Sequence, residues 1–269
     1  MCVPGCQEAI RHTLSRRRVF GAAAAFAATA VAPPALAAPR PAKRVIDLTH
    51  TMSGDFPTFD GTPGIEMRKI KDLKKDGFSL YQWQLIEHSG THLDAPIHFS
   101  ENGMAVEQIA AETLVVPLAV INVADRAAKD PDYRLSPADL AAWERRHGRL
   151  PDNGCVAMNS GWARHVADQV KYVGKDASGA MHFPGVDPEA AAWLVKERKV
   201  AGIAVDTLSL DHGASKDFKT HVLWLGAGRW GLENVANLDS VPAAGATLVV
   251  GVAKVKGATG GPARLFALV

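Results

Sequence analysis

Between Phe78 and His88 apolar and polar residues alternate, with Tyr81, Trp83 and Leu85 on one side and Leu80, Gln82, Gln84 and Ile86 on the other. A period of two predicts a strand. Leu114 to Val123 is nearly all apolar and rich in β-branched residues, the pattern of a strand covered on both faces. Shorter apolar runs at 45–48, 155–158, 202–205, 247–255 and 264–269 predict further strands. Two helices are marked by their starts. Ser136-Pro137-Ala138-Asp139 supplies an N-cap serine and a proline in the first turn, Leu140 and Trp143 begin an apolar side, and Gly148 ends it. Asp187-Pro188 opens a second helix in the same way, with Trp193, Leu194 and Val195 as apolar contacts. Residues 53–64 hold Gly54, Pro57, Gly61, Pro63 and Gly64, which predicts a loop; Phe56 and Phe59 lie in it. No repeat and no shift in composition divides the chain after residue 44. The expectation is an α/β fold: one domain over residues 44–269, with a mixed β-sheet and a few helices. Strand signals outnumber helix signals, which argues against a regular βαβ barrel.

The first residues have a different character. Arg11, Arg16, Arg17 and Arg18 make a basic start, Gly21 to Val31 is uncharged and Ala-rich, and Ala35-Leu36-Ala37 has the form of a signal-peptidase site. The apolar run is too short to span a bilayer. Arg17-Arg18-Val19-Phe20 resembles a twin-arginine signal. Residues 1–37 are therefore read as a signal peptide of twin-arginine type, residues 38–43 as a linker, and the chain as exported to the periplasm. Removing residues 1–37 takes away four Arg and one Glu, so the formal charge moves from +2 to −1. Neither value argues for nucleic acid or an anionic membrane surface as a partner. Cys2 and Cys6 go as well, leaving Cys155 and no possible intramolecular disulfide.

The chemistry is concentrated in the eleven positions from His88 to His98. Glu87-His88-Ser89-Gly90-Thr91-His92-Leu93-Asp94-Ala95-Pro96-Ile97-His98 carries three His and an Asp. Gly90, Thr91, Asp94 and Pro96 oppose a helix, so the run is placed on a shaped loop at a strand end. Imidazole nitrogen and carboxylate oxygen suit zinc, manganese or iron, and a carboxylate can bridge two ions. Isolated His residues usually pack or face solvent, but three His and an Asp interleaved with turn-formers rarely serve packing. His221 and Glu233, twelve positions apart, are a second His/carboxylate pair, weak as a signal by itself. Ser160-Gly161-Trp162 lacks the flanking glycines of a nucleophile elbow.

The His88 to His98 run resembles the H-x-G-T-H-x-D-A-P-x-H signature of the cyclase family of metal-dependent hydrolases, which includes kynurenine formamidases and isatin hydrolases. The Asp47-Leu48-Thr49-His50 start, the Asp206 to Asp211 segment and Gly261-Pro262-Ala263-Arg264 are similar to the family too. The resemblance implies a barrel-like mixed sheet flanked by a few helices, the swivelling β/β/α type. It implies His88, His92 and Asp94 as metal ligands, with His221 and Glu233 joining Asp94 around a second ion, and His98 as acid/base. One or two divalent ions per chain, Zn2+ or Mn2+, and a homodimer or larger homo-oligomer are implied likewise. The reaction implied is hydrolysis of the C–N bond of an aryl amide or cyclic anilide by metal-activated water. Phe59-Asp60-Gly61 stands where kynurenine formamidases carry Trp-Pro-Gly-Asp, a departure from their pattern; isatin-like lactam opening is preferred to formamide hydrolysis because export places the enzyme where environmental substrates arrive. A flat aromatic substrate needs apolar walls, for which Phe59, Trp83, Phe183 and Trp224 are candidates, with His182 and His212 as polar contacts. The competing readings are a lactonase or dehydratase on the same metal, and an exported metal- or ligand-binding protein with no catalysis.

Overall fold

The computed structural model describes residues 44–269; the expected signal peptide and linker lie outside them. Seven strands close into a barrel. Strands β5 (Val115–Asn122), β7 (Cys155–Asn159), β9 (Gly202–Val205) and β10 (Trp230–Glu233) run parallel in that order. The ring continues antiparallel through β4 (His92–Asp94), β12 (Gly260–Leu268) and β11 (Ala246–Val252), which pairs back onto β5. Strand β1 (Val45–Asp47) pairs with the far end of β12. This is the mixed, barrel-like α/β architecture expected.

Alternation along the strands separates two apolar clusters. Leu93, Leu118, Val120, Cys155, Ala157, Leu232 and Leu265 fill the barrel. Ala119, Ile121, Val156, Met158, Ile203 and Val205 point outward under the helices. Both faces of β5, β7 and β9 are covered, which is why their sequences read as continuous apolar runs. Cys155 is fully buried, and burial pushes its thiol well above the ordinary value, so it is an inert packing residue.

Helices α1 (Pro137–His147) and α2 (Pro188–Glu197) begin where their signals stand. The Ser136 hydroxyl accepts from the Asp139 amide, the Asp139 carboxylate accepts from the Ser136 amide, and Asp187 accepts from the Glu189 amide. Helix α3 (Lys219–Gly226) had no such signal. Its N-cap is Phe218 in the left-handed region, φ 47°, with no capping side chain of its own. A residue earlier in the loop leading into the helix does the work: the Asp211 carboxylate accepts from the amides of Thr220 and His221. Trp224 and Leu225 then bury against the outer cluster.

Two further elements differ from the expectation. The signature run is not all loop: Gly90 turns the chain at φ 63°, and His92–Asp94 then forms a strand paired to β10 on one side and β12 on the other. Three residues are too few to show a period; their neighbours make them a strand. The Phe78–His88 pattern does give a strand, β3 (Leu80–Leu85), but its partner is the polar β2 (Ile65–Lys71), and the two form a separate ribbon. Met67 faces Trp83 across it, and Met67, Tyr81, Trp83 and Leu85 are all exposed. A short parallel pair, β6 (Arg134–Leu135) with β8 (Gly185–Val186), precedes α1 and α2.

Candidate metal centre

The centre is built on the outer wall of the barrel, beneath α3. Leu93 points into the barrel, so His92 and Asp94 on either side of it point out. Leu232 likewise points in and Glu233 out, and Glu233 lies opposite His92 in the register. The first turn of α3 brings His221 over them. Ligand atoms of His88, His92 and Asp94 fall within 4.8 Å of one another, and so do those of Asp94, His221 and Glu233. Asp94 belongs to both groups. Five side chains from three stretches of sequence thus meet as two triads hinged on one carboxylate.

Each ring is oriented by its other nitrogen. His92 Nδ1 lies 2.9 Å from the Gly90 carbonyl, so it donates there and Nε2 faces the centre, 3.2 Å from Asp94 Oδ1 and 3.4 Å from Glu233 Oε2. His221 Nδ1 donates to Asp211 at 2.6 Å, leaving Nε2 3.0 Å from Glu233 Oε1. His88 is reversed: Nδ1 is 2.7 Å from Asp94 Oδ1, and Nε2 faces Thr259 Oγ1 at 2.8 Å. Asn234 donates to the Gly90 carbonyl and accepts from the Tyr172 hydroxyl, so it holds the turn beside His92.

The electrostatics call for a cation. Burial alone pushes the His92 imidazole down, but the adjacent Asp94 and Glu233 carboxylates reverse this and raise it to about 9. Asp94 is pushed up by burial, yet His92, His221 and His88 hold it well below the ordinary value. Glu233 is raised, by burial and by the neighbouring Asp94 charge. Among the described residues, the ion-pair partners of these two buried carboxylates are all imidazoles. His92 Nε2 and Asp94 Oδ2 are buried with no hydrogen-bond partner among the described residues, although such groups are nearly always satisfied. A divalent ion would displace the protons and satisfy both orphaned atoms, so these residues fit one.

His98 contributes to neither triad. Its ring stacks on His88 at 3.7 Å and 18°, and burial pushes its pKa down to about 4, helped by the surrounding imidazoles. It stands as a neutral imidazole beside the centre. Phe99 lies 4.7 Å from both His98 and His221, and Phe218 lies 5.7 Å from Phe99 and 6.0 Å from His221. Neither was singled out from sequence, though one is the neighbour of His98 and the other precedes His221 by three positions. Phe59, 39% exposed, reaches this cluster through Phe218 at 6.1 Å.

The remaining substrate-contact candidates are placed elsewhere. Trp224 is fully buried in the outer core, its Nε1 donating to the Trp230 carbonyl, and Phe183 is fully buried with Trp162, Tyr172 and Leu208. Both pack and present no face to a ligand, which corrects the expectation for them. Trp83 is on the exposed ribbon. His182 has both ring nitrogens engaged, by Asp132 and Asp176, in a surface clamp. His212 is half-buried against Gly185, beside Asp211. A separate cleft of about 390 Å³ opens at the carboxyl ends of β5, β7 and β9, lined by His50, Asn159, Arg164 and Asp206 among others; none of the five triad residues lines it.

Known proteins are similar to this chain in sequence and in fold. A curated isatin hydrolase of Roseibium aggregatum is 31% identical over 242 residues, covering 84% of this chain and 91% of that protein. A kynurenine formamidase of Bordetella pertussis is 28% identical over 180 residues, covering 66% and 76%. The solved structure of isatin hydrolase A from Labrenzia aggregata, bound to benzyl benzoate, superposes with a TM-score of 0.79 at 35% identity, covering 84% and 93%. The Cyclase family model matches residues 46–212, a span that begins in β1 and takes in the whole signature. The chain therefore belongs to the Cyclase family.

Proposed function

We propose that this chain is a metal-dependent hydrolase of aryl C–N bonds, acting first on isatin-like cyclic anilides and less well on aryl formamides. The observation that carries the reading is the pair of triads hinged on Asp94, with the neutral His98 stacked beside them and the Phe99 and Phe218 rings at hand for a flat substrate. His88, His92, Asp94, His221 and Glu233 would hold one or two Zn2+ or Mn2+ ions. Such an ion supplies Lewis acidity to the scissile carbonyl and makes water acidic near pH 7. His98 accepts the proton of the attacking water and passes it to the leaving nitrogen. In a lactam the C–N bond breaks as the C–O bond forms, and the ring opens to an amine and a carboxylate. The preference for a lactam is supported by Phe59-Asp60-Gly61 in the loop, and by the greater coverage of the isatin hydrolase relative. The test is a panel of isatin, N-formylkynurenine, aryl formamides and lactones, assayed before and after chelation and after reloading with zinc or manganese. Isatin turnover that chelation abolishes is expected. His98→Ala should keep its metal and lose about 10²–10⁴-fold in rate. A folded but metal-free protein, or turnover that chelation leaves untouched, would overturn the reading.

Two further readings accompany it. Export to the periplasm by the twin-arginine route is supported by Arg17-Arg18-Val19-Phe20 and the uncharged stretch after it. Replacing both arginines by lysine should leave the protein in the cytosolic fraction; periplasmic recovery of that variant speaks against the route. Self-association is supported by the uncovered apolar face of the β2–β3 ribbon. Among the described residues no helix is long and apolar enough to cross a membrane.

A further inference from the structure

His88 differs from the other two imidazoles of the centre in what stands behind it. His92 leans on a main-chain carbonyl and His221 on a carboxylate. His88 Nε2 faces a hydroxyl, Thr259 Oγ1, at 2.8 Å, and that hydroxyl donates onward to Glu87 Oε2 at 2.5 Å. The Thr259 amide donates to the same carboxylate oxygen at 3.2 Å. Because the hydroxyl proton is committed to Glu87, its oxygen can only accept from His88, and Nε2 must carry the hydrogen. Nδ1 is then the nitrogen that faces the centre, 2.7 Å from Asp94 Oδ1, where a bound cation would take the place of a shared proton.

The relay is assembled from the two ends of the fold. Glu87 leaves the β2–β3 ribbon, and Thr259 precedes β12, its carbonyl accepting from the Ala95 amide. It also bears on His98, which rests flat on the His88 ring. Gly260 leaves the space: a Cβ there would stand 2.4 Å from His88 Cε1.

We propose that Glu87 and Thr259 are positioning residues which fix the Nε2–H tautomer of His88, and through its ring plane hold His98. The proposal rests on the metal reading above. Carboxylates and hydroxyls behind a ligating imidazole fix its orientation, and removing them typically costs 10–100-fold in metal affinity.

The experiment measures Mn2+ and Zn2+ affinity of chelator-stripped protein, by competition with a metal indicator, for the parent, Thr259→Val, Thr259→Ser and Glu87→Gln. Circular dichroism and metal-free melting report folding. Thr259→Val keeps the size of the residue and removes the hydroxyl, so its affinity should fall about 10–100-fold. Thr259→Ser restores the hydroxyl and should bind as the parent does. Glu87→Gln keeps an acceptor without the charge and should fall between the two. Thr259→Val binding as tightly as the parent overturns the relay, as does Thr259→Ser binding as weakly as the valine variant. If Thr259→Val fails to fold, parent-like affinity in Glu87→Gln overturns it. A parent that binds neither ion removes the metal reading itself, a result distinguishable from all of these.

Discussion

Asp94 has a glycine opposite it on both neighbouring strands, Gly231 on β10 and Gly260 on β12. Directly opposed side chains on a sheet stand about 5 Å apart, so any larger residue would fill the volume that the imidazoles occupy. Neither glycine has a positive φ; space is what they provide. A Cβ at Gly260 would lie 2.4 Å from His88 Cε1 and 2.5 Å from the Leu93 carbonyl, whereas one at Gly231 would meet the flexible end of Leu210 at 2.7 Å. Gly260→Ala is therefore expected to weaken metal binding by at least about 10-fold and to cost about 1–3 kcal/mol of stability through overpacking, with Gly231→Ala much milder. Metal competition and thermal melts of the two variants check this, and equal effects would show that these glycines do not shape the centre. At this scale the sequence was informative where chemistry is local: His88, His92, Asp94 and His98 fall within eleven positions. It was silent about Thr259 and Phe218, because nothing in a lone threonine or phenylalanine marks what it will stand beside.

Among the elements, α1 depends most visibly on one carboxylate. Asp139 is 4% exposed and accepts from the Ser136 amide and hydroxyl, the Tyr133 hydroxyl and the Arg126 guanidinium. Burial pushes its carboxyl up, but the Ser136 amide and Tyr133 and Arg126 hold it below the ordinary aspartate value. Tyr133, pressed by burial and by that carboxylate, is raised to about 12. Asp139→Ala leaves these donors facing a void and should cost roughly 2–4 kcal/mol, read by urea unfolding at pH 7. Since the folded value is the lower one, the stabilisation is complete above the unfolded aspartate range and is lost as pH falls through the folded value. The gap between parent and variant should accordingly close on acidification, and a gap constant from pH 7 down to pH 2 would refute the assignment. Helix α1 could be read from its start because its cap is three residues away. Helix α3 could not, because its cap, Asp211, stands seven residues before the N-cap position, outside any local capping pattern, and also orients His221.

On the scale of the whole molecule, the β2–β3 ribbon is a two-stranded sheet separate from the barrel. A two-stranded ribbon is marginal alone in water, and this one exposes Trp83 at 61%, Met67 at 55% and Tyr81 at 46%. Exposed apolar surface of this kind marks an interaction site, and a stable interface needs on the order of 800 Å² a side, which large side chains along two strands can supply. Trp83→Glu should convert an oligomeric parent to monomer by light scattering without lowering the monomer's melting temperature. A parent that is monomeric at tens of micromolar would remove the self-association reading. From sequence, Trp83 was a candidate pocket wall; only its place on the ribbon turned it into surface.

The sequence by itself determined the α/β class, the buried strands, the starts of α1 and α2 and the signature run, because those depend on periodicity and on neighbours a few residues apart. Tertiary structure alone decided that His92–Asp94 is a strand, that Lys219–Gly226 is a helix, and that His221 and Glu233 meet Asp94. Each of those depends on a partner more than a hundred positions away or, for the helix, on a capping carboxylate set back from its start beyond the usual capping positions. Such partners leave no local trace in the pattern of apolar and polar residues.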